Sequence, residues 1–132
     1  MDFSVIVCTY NRSHHLKNVL KSLSMQVATK GLRWEIIVVD NNSTDNTFNI
    51  VKEFKKNSKV PVKYVREEKQ GLSHARNRGI IESRGKYIAF IDDDAIADNN
   101  WVAALYKAFQ RNECDCVGGR IYLKPLKKLP RW

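Results

Sequence analysis

Four short, nearly continuous apolar runs recur along this chain: Phe3 to Cys8, Trp34 to Val39, Val62 to Val65 and Tyr87 to Ile91. A strand with one wet face alternates apolar and polar residues. These runs do not, so they are expected to be covered on both faces, as strands of a parallel sheet are. The segments between them change period. Leu16, Val19, Leu20 and Leu23 fall at i, i+3, i+4 and i+7, and Phe48, Ile50, Val51 and Phe54 make a similar stripe. Both read as amphipathic helices. Leu72 to Glu82 is a weaker helix interrupted by Gly79, whereas Trp101, Ala104, Leu105, Ala108 and Phe109 share one clear helical face, with Asp98 or Asn99 placed to cap it. Cys116 to Leu123 is expected to add a fifth strand. Alternation of this kind predicts an α/β fold, a mostly parallel sheet with helices on both faces and right-handed crossovers.

A chain of 132 residues can bury one core of ordinary size. Its hydrophobic share of 43% and charged share of 28% exclude wholesale disorder. The domain is expected over residues 1–123. From Lys124 the sequence Lys-Pro-Leu-Lys-Lys-Leu-Pro-Arg-Trp loses all periodicity, so 124–132 reads as a basic irregular tail. Cys8, Cys114 and Cys116 make an odd number without framework spacing, and no secretory leader pattern precedes Phe3. A reducing, cytoplasmic setting is expected. No apolar run reaches the roughly 20 residues of a membrane span, so any membrane contact would be peripheral, at the inner face.

Lysine and arginine total 23 against 14 acids, a formal charge of +9, which favours an anionic partner or else a plainly solvated basic surface. Basic residues are not interleaved with clustered aromatics, which argues against nucleic acid.

In open α/β sheets, ligands collect outside the carboxyl ends of the strands. Thr9, Tyr10, Asn11 and Arg12 follow the first run; Asp40, Asn41, Asn42, Ser43 and Thr44 the second; Asp92, Asp93 and Asp94 the fourth. Asn11, Ser13 and the Asn42 to Asp45 stretch could equally serve as turns and helix caps. The three adjacent acids are more telling, because they repel one another unless a cation compensates. Mg²⁺ or Mn²⁺ suits such hard oxygen donors and also bridges phosphates. An exposed acidic turn is the plainer alternative. No P-loop or Gly-x-Gly-x-x-Gly segment is present, and Cys114-x-Cys116 with His14, His15 and His74 lacks zinc spacing.

Four segments in order, Val5-Ile-Val-Cys-Thr-Tyr-Asn-Arg12, Val38-Val-Asp-Asn-Asn-Ser-Thr-Asp45, Gly71-Leu-Ser-His-Ala-Arg-Asn-Arg-Gly79 and Phe90-Ile-Asp-Asp-Asp94, resemble family 2 glycosyltransferases of GT-A fold. The resemblance implies a Rossmann-like nucleotide-binding half and a nucleotide-diphosphate-sugar donor. It further implies that Thr9, Tyr10, Asn11, Arg12, Asp40, Asn41, Arg76, Asp92 and Asp93 meet the nucleotide. Asp92 and Asp94 would hold Mg²⁺ or Mn²⁺. Asn41 departs from the second acid that similar enzymes often carry. An inverting transferase also needs a general base downstream of its Asp-x-Asp, and none is identified before the chain ends. The expectation is therefore the donor half of a metal-assisted, inverting glycosyltransferase, incomplete on the acceptor side. Its acceptor (saccharide, lipid-linked or protein) is unspecified, and its uncovered surface favours self-association. The alternative is a non-catalytic nucleotide-sugar- or metal-binding module.

Overall fold

The computed structural model describes residues 1–124. The element order is β1 (Phe3–Thr9), α1 (Ser13–Ser24), β2 (Trp34–Asp40), α2 (Thr47–Asn57), β3 (Val62–Arg66), α3 (Leu72–Glu82), β4 (Tyr87–Asp92) and α4 (Trp101–Arg111). All strand pairs are parallel, in the order β3-β2-β1-β4. Each strand runs one residue beyond its apolar run, taking in Thr9, Asp40, Arg66 and Asp92. The ladder pairs Thr9 with Asp40, Asp40 with Arg66, and Cys8 with Asp92. The first polar residue at each carboxyl end is thus still held by the sheet.

The order explains where the helices go. The chain steps outward from β1 to β2 to β3, then returns to the far side of β1 to lay down β4. Right-handed crossovers put helices of opposite steps on opposite faces. Leu16, Val19, Leu20 and Leu23 of α1, Val51 of α2, and Val102 and Leu105 of α4 accordingly bury one face with Phe3, Val5, Val7, Ile36 and Val38. Among the described residues, the other face, Ile6, Ile37, Val39 and Val65, receives only α3, through Ala75. Gly79, which breaks the helical pattern in the sequence, does not break the helix. A Cβ there would lie 2.5 Å from Ile6 Cγ2, so glycine lets α3 lie close against the sheet.

The expected fifth strand does not form. Residues 112–124 are irregular, and Ile121, Tyr122 and Leu123 are exposed. Strand propensity needs a neighbouring ladder to satisfy it, and the Gly118-Gly119 pair adds backbone freedom. Apart from Lys124, the basic tail lies outside the described residues. Among the described residues no helix is long and apolar enough to cross a membrane. Among the described residues the outer strand β4 is paired on one side only, and Phe90, Ile80 and Ile81 stay exposed.

At the amino end of the sheet Glu35 is 1% exposed. Its Oε1 accepts hydrogen bonds from the Ser4 hydroxyl (2.8 Å) and the Arg84 amide (3.0 Å), and its Oε2 accepts from Arg84 Nη2 (2.7 Å) and Nε (3.2 Å). Burial pushes the carboxyl upward, but the bonds from Arg84 and Ser4 outweigh it and hold the group below its ordinary value. The sign follows: stability from this depressed carboxylate is full above the unfolded value near 4.5 and is lost as pH falls through the folded value. Thermal melts should show wild type losing stability more steeply than Glu35→Gln below about pH 4.5; parallel pH profiles would deny Glu35 this role.

Candidate functional site

The point where strand order reverses, between β1 and β4, opens a cleft of about 440 Å³ lined by Thr9, Tyr10, Arg12, Asn41, Gly71, Arg76 and the Asp92–Asp94 turn. It lies at the topological switch point, where two diverging loops leave room for a ligand.

The loop after β1 is braced against the loop after β2. Asn11 takes the left-handed conformation (φ 50°), which asparagine tolerates better than most residues. Its Oδ1 accepts from the amides of Thr44 (2.8 Å) and Asp45 (3.3 Å), and its own amide donates to Ser43 Oγ (2.9 Å). Asp45 reaches back to accept from the Ser13 amide at 3.0 Å. Asn11 and Ser13 therefore do not cap α1: its N-cap residue is Arg12, whose side chain makes no cap bond, and Asp45 meets the first helical amide instead. Asp98 does make a turn before α4, accepting from the Asn100 amide at 2.9 Å.

Asp40 is buried, and its two oxygens are engaged: Oδ1 accepts from the Ser43 amide (2.8 Å) and Oδ2 from the Tyr64 hydroxyl (2.7 Å), with Arg66 Nη1 at 3.7 Å. Burial, and then the bond to Asp40, push the Tyr64 phenol above its ordinary value. Asp40 and Asn11 thus do not line the cleft, nor do Asn42, Ser43 and Thr44, while Thr9, Tyr10, Arg12, Asn41, Arg76 and the three acids border it.

Asn41 shows why an amide stands where similar enzymes carry an acid. Its Nδ2 donates to the carbonyls of Glu67 (3.0 Å) and Lys69 (2.8 Å), and its Oδ1 accepts from the Gly71 amide (2.9 Å). An amide both donates and accepts, as an ionised carboxylate cannot, and these bonds shape the loop into α3. Gly71 there has φ 137°, a conformation that favours glycine. Asn41→Asp would turn a carboxylate onto two carbonyls. The expected cost is about 1–3 kcal/mol of stability, read in a denaturant melt, with increased proteolysis within residues 67–71. An unchanged melt would mean that the loop holds itself.

The three acids alternate around a turn closed by the Ala95 amide and the Asp92 carbonyl at 3.1 Å. Asp93 points inward: Oδ2 accepts from the Thr9 hydroxyl (2.8 Å), and Oδ1 lies 3.4 Å from Arg12 Nη1. Asp92 and Asp94 point outward with side chains 72% and 53% exposed. Arg76 Nη2 lies 3.7 Å from Asp92 Oδ1, and Arg12 Nη1 lies 3.4 Å from Asp94 Oδ2. Repulsion among the acids is therefore relieved here by two arginines. Burial, offset in part by Arg76, pushes the Cys8 thiol in the cleft up to about 11, so at neutral pH it is a protonated, unreactive wall.

Among the described residues no three His, Cys, Asp or Glu side chains converge into a metal cage. Mg²⁺ and Mn²⁺ do not require one. Mg²⁺ usually keeps waters and takes one or two carboxylates plus phosphate oxygens. Asp92 and Asp94, outward-facing and held only by long contacts, fit that donor set. Gln70, Gly71, Leu72 and Ala75 also line the cleft and were not among the candidates. The signal existed, since they follow the carboxyl end of β3, to which the same rule applies.

The glycosyl transferase family 2 profile matches residues 4–132, and the chain belongs to that family. It is 35% identical over 119 residues to the glycosyltransferase GlyA of Streptococcus pneumoniae, covering 90% of this chain and 16% of the relative. Among solved structures, S. aureus TarS 1-349 in complex with UDP-GlcNAc superposes with a TM-score of 0.73 at 30% identity, over 84% of this chain and 32% of that one. The mannosyltransferase PcManGT from Pyrobaculum calidifontis, in complex with GDP-Man and Mn²⁺, gives 0.72 at 26% identity, over 88% and 33%. The chain thus spans a third or less of the length of these proteins, and they share its GT-A fold.

Proposed function

We propose that this chain is the donor half of a metal-assisted, inverting glycosyltransferase that uses a nucleotide-diphosphate sugar. The observation that carries this reading is the cleft at the β1/β4 switch point, where a half-exposed aromatic ring, two arginines and two outward-facing carboxylates meet. Tyr10 offers a ring to the base and Thr9 a polar group beside it, while Asn41, its amide engaged by the backbone of Glu67, Lys69 and Gly71, serves the nucleotide by shaping the loop into α3. Asn11 and Asp40 serve the nucleotide from behind, by holding the loops in place. Asp93, fixed by Thr9, would contact ribose and orient Arg12.

Breaking the glycosidic bond leaves negative charge on the departing diphosphate, and Arg12 and Arg76 stabilise it in a site walled by Leu72 and Ala75. Asp92 and Asp94 would hold Mg²⁺ or Mn²⁺, which when bound neutralises phosphate charge as a Lewis acid. The N-terminus of α3 has no side-chain cap and borders the same cleft, adding amide donors suited to an anion. The acids lining the cleft all belong to one turn, so the general base that deprotonates the acceptor is assigned to a part of the protein beyond the described residues. The acceptor can be a saccharide, a lipid-linked sugar or a protein. Self-association through Ile80, Ile81 and Phe90, and contact with an inner membrane face, belong to the same reading. Neither nucleic acid nor secretion does.

Calorimetric titration with UDP and with GDP tests it. Binding of at least one nucleotide is expected, about tenfold or more tighter with Mn²⁺ or Mg²⁺ than with chelator, a difference of about 1.4 kcal/mol. Failure of both nucleotides to bind in the presence of Mn²⁺ would overturn the proposal.

A further inference from the structure

Two kinds of arginine–carboxylate pair coexist in this molecule. Arg84 grips Glu35 through two nitrogens at 2.7 and 3.2 Å, alongside its backbone amide. Arg12 instead shares one nitrogen between Asp93 and Asp94 at 3.4 Å each, and Arg76 reaches Asp92 only at 3.7 Å. Charge-assisted pairs of full strength lie nearer 2.7–2.9 Å. The first arginine is anchored, whereas the other two lie near their acids without being fixed to them. Both are about half-exposed, so their heads can rotate without opening the core. Their backbones are fixed, Arg12 beside the Asn11 brace and Arg76 on α3, where its guanidinium also lies over the Phe90 ring at 5.7 Å.

We propose that Arg12 and Arg76 are exchangeable counter-ions that couple cation binding to diphosphate binding. They pair with the acids while the cleft is empty, and turn to the phosphates once a divalent cation occupies Asp92 and Asp94. This rests on the donor-site reading above and goes beyond it by assigning the two arginines a second position.

Charge supplies the reason. The three carboxylates and two guanidiniums leave one net negative charge in the cleft. A divalent cation arriving alone must displace the arginines from their acids and leaves them without an anion. A diphosphate arriving alone meets three carboxylates that already occupy both arginines. Arriving together, the two ligands supply each set of protein charges with an opposite partner. Each ligand therefore raises the affinity of the other by the same factor.

The test separates this from a plain phosphate clamp. Mn²⁺ alone is titrated into the protein and followed by the electron paramagnetic resonance signal of the free ion. The titration is repeated with inorganic pyrophosphate, which avoids any choice of base. Arg12→Gln and Arg76→Gln should each bind Mn²⁺ alone about three- to tenfold more tightly, because a competing unit charge near 4 Å is gone. Both should bind pyrophosphate with Mn²⁺ several-fold more weakly than wild type. Lys107→Gln, the same charge change on α4, should alter neither, since a remote exposed charge is screened. Circular dichroism verifies folding, and two variants guard against one failing to fold.

Opposite movement of the two affinities supports the exchange. Unchanged or weaker Mn²⁺ binding in the folded variants overturns it, as does the absence of Mn²⁺ binding in wild type and variants alike. If those results accompany tight, metal-dependent pyrophosphate uptake by wild type, the donor-site reading survives without the exchange. If wild type takes up no pyrophosphate with Mn²⁺, both fall.

Discussion

The double variant Asp92→Asn/Asp94→Asn is expected to bind a nucleoside diphosphate equally well with Mn²⁺ and with chelator. The two outward carboxylates are the hard donors that a cation would share with phosphate, and amides replace them poorly. The whole metal-dependent gain, about tenfold or more, should vanish. Chelator-insensitive affinity should meanwhile rise above that of wild type, because removing two acids leaves Asp93 against Arg12 and Arg76 and turns the local charge from negative to positive. Calorimetry in both conditions reads the two effects. Metal dependence that persists in the double variant would move the cation to other groups. Asp93→Asn should behave differently: it leaves the outward pair, and with it the gain from metal, intact.

Gly85→Ala should have the largest effect on stability. A Cβ at Gly85 would lie 2.5 Å from the Ser4 backbone nitrogen and 2.6 Å from the Phe3 carbonyl carbon, so strand backbone, not a flexible side-chain tip, would have to move. The same shift would strain the bond from the Gly85 amide to Ser4 Oγ, now 2.8 Å. Overpacking of this kind costs about 3 kcal/mol at the upper end of its usual range, which lowers Tm by roughly 10–15 °C in a domain of this size. Gly118→Ala, where nothing lies within 4 Å, is the control and should melt like wild type. Equal melting of the two variants would mean that β1 yields at no cost.

The strands and helices that form were legible because burial on both faces and burial on one stripe leave different periods in the sequence. Leu16, Val19, Leu20 and Leu23 were placed correctly by spacing alone, and all are buried. Gly79 misled, because a pattern of apolar residues cannot express a close approach in which the useful side chain is none at all. The strand expected at Cys116 to Leu123 failed for a related reason: its residues suit a sheet, but pairing depends on a neighbour the pattern does not contain.

Of the site, the positions were legible and the partnerships were not. The carboxyl-end rule led to Thr9 and the three acids, which border the cleft, and to Asp40, which does not. It could not show that Asp40 points back toward Ser43 and Tyr64, or that arginines 80 and 16 residues away from Asp92 in the sequence relieve the acidic turn. Those facts depend on rotamers and chain crossings rather than on residue type.

Among the described residues β3 and β4 are the two outer strands, each paired on one side. A segment that adds beside β4 would leave undisturbed the order β3-β2-β1-β4 that sets the acids opposite Thr9 and Arg12. A cleft built this way is portable: a unit of little more than a hundred residues can carry additions of different length at that edge while the groups around the cleft keep their geometry.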